Sequence, residues 1–396
     1  MTSTFVSYIA ADSVVTGPVP LDPFVPGSPN LFPKMVNRIN DSAWELWQFD
    51  AFNTESATSV SFYRDARGIK EGGFHVDLNA VWPDGSTWGK EIYFAESIIT
   101  SEGNSPESRG RVHGLWTSGG GSVSEELSTA EFSIAADLST ATVRFRAPGY
   151  VEGTIHLHSL GGDRDVRLPK TEDVALLGPS VYYIFPMGPV AATADLAFEV
   201  VDGASGTAEK RKLSVGEEDG ARGGMVRGWS GLAWPQIMTD AYYLCATAGP
   251  YMLQLLRIIS SAADGWVPHI VARLYRGDEL VCAAQHVVDE ESQNEKGVNI
   301  RDTVEIQKMH EEGGLSGAFR DKNTGYLIDF TQGVRQQCRK QWRFEVRHKI
   351  AWWSNPTSAP GPNGTGKSGF VEGVLGGSDG ETRFVGGGAS GQLQLP

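Results

Sequence analysis

Apolar and polar residues alternate with a period of two along almost the whole chain, in short stretches that each end at a turn signal. That pattern fits half-buried strands and leaves little room for helices. "WELWQFDAF" (Trp44–Phe52) leads toward "TSVSFYRD", and "GFHVDLNAVW" runs through Pro83-Asp84-Gly85 into "STWGKEIYF". "ATVRFRA", "GTIHLHS" and "ADLAFEVV" follow. The second half carries "HIVARLYRGDELVCAAQHVV", which reads as a hairpin turning at Arg276-Gly277-Asp278. It also carries "GAFRDKNTGYLIDF", turning at Lys322–Gly325, and the long strand-like run "RQQCRKQWRFEVRHKIAWW". "NEKGVNIRDTVEIQKMHEE" suits either a short helix or a strand. The fold class is all-β, with roughly seven to ten strands in each half. The 48 glycines suit many tight turns.

A chain of 396 residues is too long for one ordinary core. The polar, charged and glycine-rich segment Ser205–Gly224 is the natural break. We therefore expect an N-terminal β-rich domain over residues 1–224 and a C-terminal one over 225–396. The 11 tryptophans either fill those cores or line a cavity for a flat apolar ligand.

A net charge of −14 with no offsetting basic tract argues against nucleic acid or an anionic membrane as partner. "MTSTFVSYIAADSVV" has no charged n-region or continuous apolar core, so no secretory signal is read and a cytoplasmic location is expected. Cys245, Cys282 and Cys338 are sparse and odd in number, which fits reduced thiols better than a disulfide frame. The most apolar segment, Tyr242–Ala263, is broken by Gly249-Pro250 and carries Arg257. It reads as two buried strands around a turn, and no membrane insertion is expected.

"GPNGTGKS" (Gly361–Ser368) satisfies G-x-x-x-x-G-K-[ST], the phosphate-cradling loop. Such a loop needs a buried strand before it and a helix after it, whose N-terminal amides face the phosphates. Here "WWSNPTSAP" precedes it, "GFVEGVLGG" follows it, and 28 residues remain after Ser368. Nucleotide hydrolysis is set aside on that context. Two readings of Lys367 stay open: a solvated hairpin tip, or a glycine-rich loop folding over a pocket with the ammonium as donor.

His156 and His158 share a strand face but have no third ligand at a metal-binding distance, and His75 and Asp77 are equally non-specific neighbours. No nucleophile elbow and no H-E-x-x-H motif is present. In "WELWQFDAF", Glu45, Trp47, Phe49 and Ala51 share one face, and Trp44, Leu46, Gln48 and Asp50 the other. A carboxylate in line with aromatics needs a donor partner, a ligand or access to water. Asn79, in "HVDLNAVW", is an amide with both donor and acceptor capacity.

"SAWELWQFDAF", the hairpin "FHVDLNAVWPDGSTWGKEIYF", the segment "GWSGLAWPQIMTDAYYLCATAGPYML" and the closing "GKSGFVEGVLGG" together resemble the fungal Diels–Alderases that form decalin rings in polyketide–amino acid metabolites. These belong with the wider hydroxyneurosporene-synthase-like, lipocalin-like proteins. The wider group's "G-Y-x-D-H" segment reads "GGMVRGWSG" here, without a histidine, so metal or hydratase chemistry is not implied.

The resemblance implies two lipocalin-like β-barrel or β-sandwich domains with a hydrophobic pocket between them. It also implies an intramolecular [4+2] cycloaddition of a linear polyene tetramic acid, needing no cofactor and no metal. The substrate would come from a polyketide synthase–peptide synthetase. Carried over residue by residue, the polar set is Glu45, Asn79 and Lys367. The substrate-binding set is Trp47, Tyr63, Tyr183, Trp229, Trp234, Tyr243 and Trp353. Lys367 and Asn79 would donate to the conjugated carbonyl, and Glu45 would accept from the tetramic acid N–H or orient the lysine. A cycloaddition moves no proton and needs no nucleophile, which agrees with the lack of triads in the sequence. Two rivals predict different behaviour: a lipocalin-like carrier would bind without turnover, and a carbohydrate-active β-sandwich would release sugar through a carboxylate pair.

Overall fold

Trp44–Phe52 is buried along both of its faces, and this strand lies deep in the first of two sheets. The computed structural model describes residues 3–71, 73–103, 110–118, 127–161, 168–201, 208–285, 301–333, 340–359, 361 and 363–396. Among these, the strands form one 15-stranded and one 9-stranded sheet, and every pairing is antiparallel in a meander-like order. The lipocalin-like, all-β class follows from that architecture.

The first sheet runs from Ser3–Ala10 at one edge to Thr87–Phe94 at the other. Its inward residues make one core around Phe62, whose ring meets Trp116 at 5.0 Å and Phe132 at 5.1 Å, both edge-on. Edge-to-face packing suits the ring quadrupoles and adds to the burial energy.

The second sheet curls until its outer strands, Glu279–Gln285 and Thr303–Met309, approach each other. Asp302 helps seal that seam. Its carboxylate accepts from the Ala283 and Gly333 backbone N–H groups, each at 2.9 Å.

Several sequence expectations shift. The break expected at residue 224 falls inside the strand Arg222–Ser230, which pairs with Trp44–Phe52 and so belongs to the first sheet. The chain crosses to the second sheet between Ser230 and Met238, through the single helical turn Trp234–Ile237. The supposed linker contains an edge strand, Ala208–Val215, buried only at Leu213 and Val215; its outward charges hid it from the alternation pattern.

The hairpin expected at Lys322–Gly325 is half right. Gly325–Thr331 is a strand, but the residues before it are irregular. Phe319 is docked where a Cβ on Gly366 would lie 2.2 Å from its ring, and Asp321 pairs with Lys308. The two strands around Gly249-Pro250 are Met238–Ala248 and Tyr251–Ser260. The tail forms the strand Phe384–Gln394. Cys245 and Cys282 are buried thiols, the latter with its Sγ 3.9 Å from the Thr331 carbonyl oxygen, and Cys338 lies outside the described residues. No helix among the described residues is long and apolar enough to cross a membrane.

Candidate functional site

Register turns the period-two pattern into rows across the first sheet. Gly224, Asp50, Ser59, Asn79 and Gly89 stand side by side on five neighbouring strands. The next row is Val226, Gln48, Ser61, Asp77 and Glu91. Beyond it lie Tyr183, Gly228, Leu46 and Tyr63, continued by His75, whose ring stacks on Tyr63 at 4.5 Å, and by Tyr93. This face is unusually polar for a covered one, and the second sheet lies over it.

The outer face of the second sheet answers with its own rows. Tyr243, Gly391, Gly369 and Trp353 form one, and Ala241, Leu393, Lys367 and Asn355 the next. Two glycines between two aromatics leave a bare strip on a surface that strands elsewhere fill with side chains. The Trp353 indole lies in it: a Cβ on Gly369 would stand 2.2 Å from Cε2, and one on Gly391 would stand 3.4 Å from Cζ2. Three interstrand spacings give the strip a length of roughly 14 Å.

The two faces touch at the ends of these rows. At one end the Tyr243 hydroxyl donates to Asp50. At the other, a Cβ on Gly89 would come within 3.9 Å of the Trp353 Cβ. Along the side, Lys367 Nζ lies 3.3 Å from Asp77 Oδ2 and 3.7 Å from Glu91 Oε1, and 5.8 Å from the centre of the Trp353 ring. Tyr63, Tyr243, Trp234 and Leu393 pack on one apolar cluster that bridges the sheets, with Trp44 stacked on Trp234 at 3.8 Å.

Burial sets the charge states. It pushes the Asp50 carboxyl up, while hydrogen bonds from Ser59 (2.6 Å), Tyr243 and Gln48 (3.1 Å) pull it back. Burial also raises Asp65 to about 6, against the pull of Arg67. His75 is pushed well down by burial and then by Arg67, so it stays neutral, and its Nε2 accepts from Arg67. Asp77 Oδ1 is buried without a hydrogen-bond donor. The Asn79 carboxamide has no side-chain hydrogen bond among the described residues and faces the strip beside Gly89. The cleft, the seam where these two faces meet, thus brings together an ammonium, an amide with no side-chain hydrogen bond among the described residues and a carboxylate oxygen without a donor, beside aromatic rings. No group of three metal-ligating side chains occurs among the described residues.

The structure therefore gathers Asn79, Lys367, Tyr63, Tyr183, Tyr243, Trp234 and Trp353 at or beside the cleft. Lys367 is not on a free loop: it is the second residue of the strand Gly366–Ser378, paired on both sides.

Three expected residues point the other way. Glu45 is completely buried on the opposite strand face, where it accepts from the Lys34 and Met35 N–H groups (2.9 Å each) and pairs with Arg227. Trp47 sits in the first core and donates to the Leu31 carbonyl at 2.9 Å. Trp229 stacks on Tyr182 at 4.6 Å, beneath Lys34. On the strand that carries Glu45 and Trp47, Leu46, Gln48 and Asp50 take the cleft face instead. The same alternation in "WELWQFDAF" contains both faces, and only the pairing partners decide between them.

The whole chain, residues 1–396, matches the family model described as Diels-Alderase-like. It is 57% identical to "Diels-Alderase gNR600" from a fungal species (strain NRRL 50135), with all of both chains covered. It is 43% identical to "Diels-Alderase phm7" from Pyrenochaetopsis sp, covering 98% of this chain and 97% of that one. Its fold matches the crystal structure of CghA with Sch210972 at a TM-score of 0.87, with 35% identity and 99% of both chains covered. Diels-Alderase cghA comes from Chaetomium globosum.

Proposed function

With this chain a member of the Diels-Alderase-like family, and its activity that of a Diels–Alderase, we propose that it folds a linear polyene bearing a tetramic acid into a decalin by an intramolecular [4+2] cycloaddition. The observation that carries this reading is the pair of facing rows: a narrow aromatic strip over bare glycines, with Lys367 and Asn79 at its flank. CghA, which shares the fold, has been crystallised with Sch210972.

In this mechanism no atom is gained or lost and no proton moves. Two carbon–carbon bonds form between diene and dienophile while three double bonds become one. The Trp353 indole now covers the strip's two glycines, so a flat chain enters only as that indole swings aside, and the polyene then folds back on itself with its two reacting parts stacked. Such orientation is worth up to ~7–11 kcal/mol in ideal cases.

The Lys367 ammonium and the Asn79 amide donate to the carbonyl conjugated with the dienophile, withdrawing electron density as the bonds form. A preorganised donor of this kind contributes roughly 3–4 kcal/mol. Asp77 and Glu91 hold the lysine in the cleft before substrate arrives. Asp77 Oδ1 takes an N–H or O–H of the tetramic acid ring. Glu45 acts at a distance, by pinning residues 34 and 35 and the Arg227 strand. The linear precursor is the kind of molecule a polyketide synthase–peptide synthetase releases, and we place the reaction in the cytoplasm.

The test is incubation of purified protein with a synthetic linear polyenoyl tetramic acid, following rate and diastereomer ratio against the uncatalysed cyclisation. We expect acceleration and a changed ratio, and a loss of about a hundredfold or more in kcat for Lys367→Ala. An unchanged rate and ratio for wild type would overturn the reading.

A further inference from the structure

Asp50 is a fully buried carboxylate that no part of the proposed chemistry uses. All of its hydrogen bonds come from side chains: Gln48 and Ser59 from its own sheet, and Tyr243 from the opposite one. Its ladder neighbours place it in the same row as Asn79, two strands away. Tyr243 is in turn the end residue of the row whose two glycines carry the Trp353 indole. The bond between them joins residues 193 positions apart and closes one end of the strip.

A phenol has one proton to donate. With it committed to Asp50, the Tyr243 ring is held at a fixed angle across the gap, and its oxygen presents only lone pairs to the cleft. Gln48 and Ser59 complete the carboxylate's shell, so the anchor itself is locked from both sides. Cys245, the next outward residue on the Tyr243 strand, and Gln254 pack where a Cβ on Gly224 would stand, 2.9 and 3.2 Å away, which leaves the anchor little room to shift.

We infer that Asp50 is a positioning residue for the cycloaddition: through Tyr243 it fixes the closed end of the strip, and so selects which folded conformer of the polyene, and which diastereomer, the cleft accepts. This inference rests on the decalin-forming reading.

It is tested with Tyr243→Phe, which keeps the ring and removes the donor, with Asp50→Asn, which keeps the shape and removes the charge, and with the double variant. The probe is the synthetic linear polyenoyl tetramic acid, read at a temperature well below each protein's measured melting transition. Each single variant is expected to shift the diastereomer ratio by about tenfold, the equivalent of ~1.4 kcal/mol in relative barrier. The double variant should shift it no further than the larger single one, because the two residues act as a unit. KM should rise less than the ratio changes.

A merely structural role would lower the melting temperature and leave unchanged the ratio made by the folded enzyme; that outcome overturns the inference, as does full additivity. If wild type itself leaves rate and ratio at the uncatalysed values, the decalin-forming reading falls first and this inference with it. An active wild type with unaltered variants sinks this inference alone.

Discussion

Replacing Glu45 with glutamine separates a residue that touches substrate from one that holds the frame. The side chains of Glu45 and Arg227 are both fully buried. Removing one charge of such a pair strands the other, at a typical cost of 3–5 kcal/mol. Arg227 keeps bonds to the carbonyls of Asn30 (3.1 Å), Leu46 (3.3 Å) and Gly228 (2.7 Å), and its guanidinium stays 4.1 Å from the centre of the Trp47 ring. Those contacts put the charge loss near the low end, about 3 kcal/mol.

A glutamine also offers one acceptor oxygen where Lys34 N and Met35 N now use two. One orphaned buried N–H adds about 1 kcal/mol or more. A total near 4 kcal/mol corresponds to a fall in melting temperature of roughly 8–16 °C if the first sheet unfolds as a unit of ordinary domain size. Scanning calorimetry gives the first number, and product analysis well below the transition gives the second. The diastereomer ratio of Glu45→Gln should equal that of wild type. A melting point within a degree or two of wild type, together with an altered ratio, would refute the frame assignment and return Glu45 to the substrate.

Two further predictions follow from the cleft. Gly369→Ala puts a methyl 2.2 Å from the Trp353 indole and 2.3 Å from Trp352 Nε1 and must displace one or both, so tryptophan emission and turnover should both change; wild-type values of both would show that neither indole is seated on the strip. Asp65, raised to about 6 by burial, binds its proton more tightly folded than unfolded, where the value is about 3.9. Stability contributed by its neutral form is therefore present at low pH and lost as pH rises from about 4 through 6, up to roughly 3 kcal/mol. Asp65→Asn should stabilise the protein at pH 7.5 and not at pH 4; equal shifts in melting temperature at both would refute the assignment.

Strands with one wet face were legible because their alternation is visible in a single segment: Thr140–Ala147 buries every second residue, and Val151–Ser159 does so apart from Gly153. Strand Trp44–Phe52 was legible as a strand, but its orientation was not. Both faces are covered, one by the core and one by the second sheet, and the partner that fixes Glu45 lies 182 positions away. Asn79 and Lys367 were reached by resemblance rather than by spacing. Nothing local in "GPNGTGKSG" distinguishes a loop from the first residues of a strand; what does is Pro356 on one side and Gln394 on the other, both paired with Gly366. The strand Ala208–Val215 was missed because charge on an edge strand looks like charge on a linker.

Lys367 and Asp77 meet across 290 positions of sequence. During synthesis the first sheet is therefore complete long before its cover exists, and a broad face must wait in water. Had that face been as apolar as the one around Phe62, it would be a site for aggregation throughout the delay. Gln48, Asp50, Ser59, Ser61, Asp77, Asn79 and Glu91 make it wettable instead. These polar rows run between apolar ones, Trp44 and Leu46 on one side and Phe52, Ala57 and Val81 on the other, so substitutions that make the middle greasier would join them into one broad apolar face and are expected to lower yield before catalysis.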